Sequence, residues 1–405
     1  IKEELKHKEK EIKQAKEELE QIKVESNPTK SDVKQIAHTI MVGGYDGYNQ
    51  LGEKPNKNKE YGYPYIHPSQ KSSIDPSSLL SFSTYCDHSV QVTRSGKLLG
   101  IGDNSDGRIS DSLPKTEITE FTEFSIRDVN GHQLDPISAV CSFYGTLYMF
   151  SSGSRRQLVL CDSEINGGHP VFLDIGDEYP VSLFGGRYHS AAISNKGEVI
   201  FINRSSVQNS PESKIKTVCL PDGEKAVSVA CCDDSVVALS SNGRVFLSAV
   251  ESGSSVLNFS TVSELSGQEI VWVSGTNEHF LAVSREGRVF GRGSNSNGQL
   301  GLGQQTSSIS SFTEISSLKG HKIRAAYAGG FHSLFETSEG KILACGWNCL
   351  GCLLLSSDTN EKVYSPKETT ITESATFCIA GNSLSTVFIG GDPPPNTPNR
   401  LIENE

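Results

Sequence analysis

Four histidines recur in one setting along the chain. His88, His189, His279 and His332 each close a short polar or aromatic stretch and stand eight residues before a glycine, namely Gly96, Gly197, Gly287 and Gly340. An imidazole can act as a general base, a metal ligand or a neutral hydrogen-bond donor. Recurrence at one structural position favours the third role, a side chain that ties a turn to neighbouring backbone. No serine or cysteine nucleophile motif accompanies the histidines and no paired carboxylates stand out, so the sequence points away from catalytic chemistry of its own. Cys345, Cys349 and Cys352 include a Cys-x-x-Cys turn, but one pair without a fourth ligand nearby does not compose a zinc site. The glycine-rich stretch Gly301 to Ser307 lacks the Lys-Ser/Thr ending of a phosphate loop. Neither a metal nor a cofactor is expected.

The elements that position these residues are short strands. Ser190 to Ile202 and Phe280 to Gly293 each give two apolar runs across a polar turn ending in glycine, the pattern of a tight hairpin. Gly145 with Gly153, and Ser235 with Gly243, keep the spacing with the histidine replaced. The six downstream glycines mark repeats at intervals of 57, 44, 46, 44 and 53 residues, which implies an array of small units. A further strand precedes each histidine position (from Ile137, Val227 and Val271) and an outer one follows (Val171 to Ile175, Phe312 to Ile315). Four antiparallel strands repeated around a circle make a β-propeller. No Trp-Asp pair ends a repeat, and the Gly-Gly doublets at Gly43, Gly185, Gly329 and Gly390 lack the spacing of kelch blades. Six hairpins supply six blades. The half repeats His38 to Gly52 and Thr376 to Gly391 predict a seventh, joining Ile40-Met41-Val42 to Thr386-Val387-Phe388 and closing an all-β, seven-bladed ring.

The hairpins of His88, His279 and His332 are followed by a second motif, clearest in Gly293 to Gly303 (GSNSNGQLGLG) and repeated in Gly102 to Ser110 and Gly346 to Leu354, with a further copy in the half repeat Gly44 to Gly52. Together the two halves resemble the regulator of chromosome condensation repeat, over residues 38 to 391, with degenerate copies between Ile137 and Ile270. The founder of that family is a seven-bladed propeller and a guanine-nucleotide exchange factor for the small GTPase Ran. The resemblance implies a partner-contact face that includes Asp87 and His88, with Glu278 and His279 as the acidic counterpart and His189 and His332 behind Tyr188 and Phe331. It also implies a protein-interaction scaffold, or alternatively an exchange factor or regulator of a Ran-like GTPase. Two long excursions, Lys54 to Pro76 and Asp111 to Pro136, read as binding loops between blades.

A formal net charge of -11 leaves no broad basic field for phosphate backbones, so direct nucleic-acid binding is not expected. Ten cysteines follow no framework spacing and fall mostly in apolar strand contexts; buried thiols in a cytoplasmic or nuclear setting are the expectation. No run of 18 apolar residues predicts a membrane span. Residues 1–27 read as a charged helix with a heptad seam of Leu5, Ile12 and Leu19, and with Glu11-Lys16 and Glu18-Lys23 as matched flanks. Both a parallel dimer through residues 1–25 and a single solvated helix fit that pattern. Residues 392–405 read as a proline-rich tail or linker.

Overall fold

The hairpins expected at the histidine positions form, and each occupies the middle of a four-stranded antiparallel sheet. The computed structural model describes residues 39–45, 56–57, 64–71, 74–152, 155–203, 207, 215, 217–251, 256–355, 360–382 and 384–389. Both terminal segments, 1–27 and 392–405, lie outside the described residues.

Seven sheets make seven blades. Blade 1 runs Leu79–Thr84, His88–Thr93, Leu98–Asp103 and Glu117–Phe124. Blade 2 follows with Asp135–Cys141, Gly145–Ser152, Arg155–Asp162 and Val171–Leu173. In blade 3 the strands are Pro180–Gly185, His189–Ser194, Val199–Asn203 and Thr217–Val218. Blade 4 holds Ala226–Cys231, Ser235–Ser240, Val245–Ala249 and Ser260–Thr261. Blade 5 holds Ile270–Gly275, His279–Ser284, Val289–Ser294 and Ser308–Glu314. Ile323–Ala328, His332–Thr337, Ile342–Trp347 and Lys362–Glu368 form blade 6.

The seventh blade is composite. Ala375–Ala380 and Leu384–Ile389 from the far end of the chain pair with Thr39–Tyr45 from its beginning, in the register Ile40 to Phe388, Met41 to Val387 and Val42 to Thr386. Two more strands, Pro64–Lys71 and Asn56–Lys57, extend this blade outward. The excursions 54–76 and 111–136 are therefore not free loops: they hold the outer strands of blades 7 and 1, because an edge strand needs only one hydrogen-bonded neighbour and can lie far along the chain from its blade.

The first strand of each blade is innermost, and from blade 1 through blade 7 each touches the first strand of the next. Apolar residues on both faces of the middle strands pack between neighbouring blades, which is why His189–Ser194 and Ser235–Ser240 are buried along their whole length. Val90, Phe124, Tyr148 and Phe150 fill the space between blades 1 and 2; Met149, Leu158, Ala192 and Ile200 fill that between blades 2 and 3. The core is thus a set of layers between blades, anchored by large side chains that repeat around the ring.

Candidate protein-binding face

The turns joining the first and second strands gather on one face of the ring. Hydrogen bonds lace them together: Phe143 N donates to Arg187 O (3.0 Å), Asp233 N to Asn277 O (2.8 Å) and Gly330 N to Gly381 O (3.0 Å). The Tyr85 hydroxyl of blade 1 reaches Asn277 Oδ1 of blade 5 (2.6 Å), and Asn277 Nδ2 donates to Asn382 Oδ1 of blade 7 (2.9 Å). At this rim the inner strands enclose a cavity of about 80 Å³ lined by Ser83, Thr84, Ser274, Thr276, Tyr327 and Cys378 among others.

The histidines sit just inside that face and bridge one blade to the next. His279 Nε2 meets Ser333 Oγ (2.9 Å), and His332 Nε2 meets Ser385 Oγ (2.9 Å). Each serine hydroxyl gives its single hydrogen to a carbonyl of the preceding blade, Gln299 O or Cys352 O (both 2.6 Å). Each serine oxygen must then accept from the imidazole, which places a proton on Nε2 of both histidines. Their Nδ1 atoms are buried without a hydrogen-bond partner. Burial pushes His332 down to about 4; burial, with neighbouring His332, pushes His279 down to about 3. His189 Nε2 reaches Asp233 O (3.2 Å), and burial lowers its pKa as well.

His88 differs because it has an acid beside it. Its Nδ1 lies 2.9 Å from Asp87 Oδ1 and its Nε2 3.0 Å from Thr146 Oγ1 of blade 2. Burial works against charge on this ring, yet the Cys141 sulfur and the Asp87 carboxylate outweigh it and raise its pKa. Carboxylate, imidazole and hydroxyl stand in the order of an acyl-transfer relay. The Thr146 and His88 side chains are wholly buried, however, so no substrate can reach that hydroxyl in this state. Asp87, only 5 % exposed, is held on its other side by Arg108 (2.5 Å), which also pairs with Asp103 (3.3 Å).

Of the six residues expected at the contact face, Asp87, His88, His189, His279 and His332 are buried within its framework, and Glu278 is exposed upon it. A second group lies at the same offset from the histidine position in blades 2 and 3. The Tyr144 and Tyr188 rings stack at 5.9 Å, the Phe143 edge meets Tyr144 at 4.9 Å, and the Arg187 guanidinium lies over Tyr188 (4.6 Å) and Phe143 (5.9 Å). Arg187 also pairs with Asp233 (3.2 Å). The signal was present in the sequence as the residue pair before each histidine position, but only the ring brings Phe143-Tyr144 beside Arg187-Tyr188. Cys345 and Cys352 are buried and donate to Gln299 O (3.5 Å) and Trp347 O (3.2 Å), so the first sulfur ties to the asparagine turn of the preceding blade and the second serves the turn of its own. No disulfide joins cysteines among the described residues.

Family profiles described as the regulator of chromosome condensation (RCC1) repeat match residues 286–335 and 270–299. Those spans are the hairpin, asparagine turn and following histidine strand of blades 5 and 6. Residues 270–335 carry the regulator of chromosome condensation repeat. The chain is similar to the ultraviolet-B receptor UVR8 of Arabidopsis thaliana, 33% identical over 178 residues, which cover 42% of this chain and 38% of that protein. It is also similar to the human probable E3 ubiquitin-protein ligase HERC3, 37% identical over 101 residues, or 25% of this chain and 10% of that protein. The matches thus span well under half of either relative. Human WBSCR16 shares the fold with a TM-score of 0.69 at 15% identity, covering 88% of this chain and 99% of that one. Prp20p of Saccharomyces cerevisiae, whose structure was reported with its binding properties to Gsp1p and histones, gives a TM-score of 0.69 at 12% identity, with coverage of 88% and 92%. Among the described residues of this RCC1-repeat chain no helix is long and apolar enough to cross a membrane.

Proposed function

We propose that this RCC1-repeat propeller is a protein-interaction scaffold that engages its partner through the face formed by the turns between first and second strands. The observation that carries the reading is the construction of that face. Buried histidine bridges and backbone bonds between blades hold the turns rigid, while Tyr144, Tyr188, Phe331 and Glu278 remain at least partly open to solvent. A rigid surface loses little conformational entropy when it is covered.

A second reading, exchange activity toward or regulation of a small Ran-like GTPase, draws on the family and on the acidic side chains of the same face. Exchange needs no covalent chemistry. A factor that binds the nucleotide-free GTPase better than the loaded one promotes release by differential affinity. Asp87, His88, His189, His279 and His332 would then act as positioning residues beneath the contact, with Glu278 as the exposed acid.

A photo-crosslinking residue placed at Tyr188 should trap a protein partner, whereas one at Val129, 87% exposed in the link between blades 1 and 2, should not. Crosslinks confined to Val129 would remove the scaffold reading. For the second reading, the chain should accelerate nucleotide release from a panel of small GTPases, and Glu278→Ala should slow it with melting unchanged. No acceleration from any member would remove exchange and leave the scaffold.

A further inference from the structure

The aromatic and arginine side chains on blades 2 and 3 lie beside an acidic rim on blades 4 and 5. From this juxtaposition we infer that Phe143, Tyr144, Arg187 and Tyr188, flanked by Asp234 and Glu278, form the contact centre for an arginine- or lysine-bearing segment of a partner protein. The inference rests on the face proposed above and names the chemistry that face recognises.

Three observations support it. First, the residue types are those that dominate protein interfaces, and their rings are already locked together, by the stack at 5.9 Å, the edge contact at 4.9 Å and the cation over Tyr188 at 4.6 Å. Second, the charge of the turns is lopsided. They carry Asp87, Asp233, Asp234 and Glu278 against Arg187 alone, and Arg187 is committed to Asp233 while Asp87 is committed to Arg108. Asp234 and Glu278 are exposed and have no ion pair among the described residues, which leaves a negative field next to the half-buried aromatic cluster. Third, the acids crowd one another: burial first, then Glu278 and Asp234, outweigh Arg187 and raise Asp233 to about 6. An incoming cation would relieve that crowding at the edge of the aromatic cluster. Nucleic acid is disfavoured by the same field.

The test uses the full chain and a fluorescent twelve-residue peptide of alternating arginine and serine, with a glutamate–serine peptide as the control. The arginine peptide should bind and the glutamate peptide should not. Tyr188→Ala, and the double variant Asp234→Ala with Glu278→Ala, should each weaken binding about tenfold or more. A matched double variant on the opposite face, Glu286→Ala with Glu339→Ala, removes the same charge from exposed hairpin turns and should leave binding unchanged. Equal weakening by both double variants would mean that bulk charge alone attracts the peptide, and would overturn the inference. So would absence of binding. If a partner still crosslinks at Tyr188 while the arginine peptide fails, the face stands and only the chemistry assigned to its occupant falls.

Discussion

Asn104, Asn295 and Asn348 explain at the level of single residues why one asparagine marks each intact repeat. Asn295 is fully buried, accepts from Leu300 N (2.9 Å), and donates to Gln304 O (3.1 Å) and Thr306 Oγ1 (2.9 Å). Asn104 makes the same acceptance from Ile109 N (2.9 Å), and Asn348 from Leu353 N (3.1 Å). Asn295→Ala would strand the Leu300 amide, and it should cost about 1–3 kcal/mol in denaturant unfolding. A cost below about 0.5 kcal/mol would show that the loop holds without its asparagine. The histidines give a pH dependence. An unfolded histidine takes a proton near pH 6.5, whereas folded His332 resists it until about 4. Between those values the unfolded state binds more protons, so stability falls as pH falls through that window. Because that penalty amounts to about 2 kcal/mol on going from pH 7 to 5, His332→Gln should lose about 2 kcal/mol less than the parent over that range. Equal losses in parent and variant would mean that His332 takes up its proton as readily in the fold as in the unfolded chain. Other groups, including Asp233 with its raised pKa, cancel in the comparison because both proteins carry them.

Strand pairs show why some repeats looked degenerate. His88, His279 and His332 lie directly across from Gly102, Gly293 and Gly346 on the third strand. A Cβ at Gly293 would stand 2.2 Å from Glu278 O, and its φ is +105°, so this close approach admits glycine alone. In blade 2 the order is reversed: Gly145 faces Asp162, and a Cβ on Gly145 would stand 2.0 Å from Cys161 O. Blade 4 meets the same need with the small pair Ser235 and Ala249. Blade 3 keeps His189 opposite Asn203, and there the imidazole reaches a backbone carbonyl instead of a hydroxyl. A linear pattern search registers a lost histidine, whereas the constraint applies to a pair of residues on different strands. A further signature is readable in the sequence: Thr93, Ser194, Ser240, Ser284 and Thr337 stand five residues after five of the six histidine positions, blade 2 having Phe150 there, and each hydroxyl oxygen accepts the amide that closes the hairpin, from Lys97 N (3.0 Å) to Arg244 N (3.3 Å). The pair rule can be tested with alanine. Gly293→Ala combines left-handed strain with a backbone clash and should cost about 2–4 kcal/mol. Gly96→Ala, with φ +79° and nothing within 4 Å of the added methyl, should cost only the strain, about 1 kcal/mol. Similar melting temperatures for the two variants would remove the close-approach explanation.

For the molecule as a whole, blade number and ring closure were legible because both follow from counting: six complete hairpins and two complementary halves. The contact face was legible only in part. Asp87 and His88 could be located from the motif, but their burial follows from Arg108 and Thr146, which the ring brings in from a later turn and from the next blade. Closure itself leads to the last prediction. Strand Thr39–Tyr45 has its inner neighbour only in Leu384–Ile389, while Ile40, Val42, Leu79, Phe82, Phe377 and Val387 share one buried cluster that joins blade 7 to blades 1 and 6. Deleting residues 375–389 would remove two of the central strands of that blade. It would also uncover the apolar flank of blades 1 and 6 and leave Thr39–Tyr45 with an open hydrogen-bonding edge. The damage should exceed the share of the chain removed, because a six-bladed remnant cannot bring its ends together without changing the packing angle at every remaining interface. The truncated chain should therefore aggregate or melt without a sharp transition, measured by scattering and calorimetry. Recovery of a soluble protein with a single cooperative transition would show that the described blades are stable as an open array, and that the joining of first and last strands is not what holds the ring.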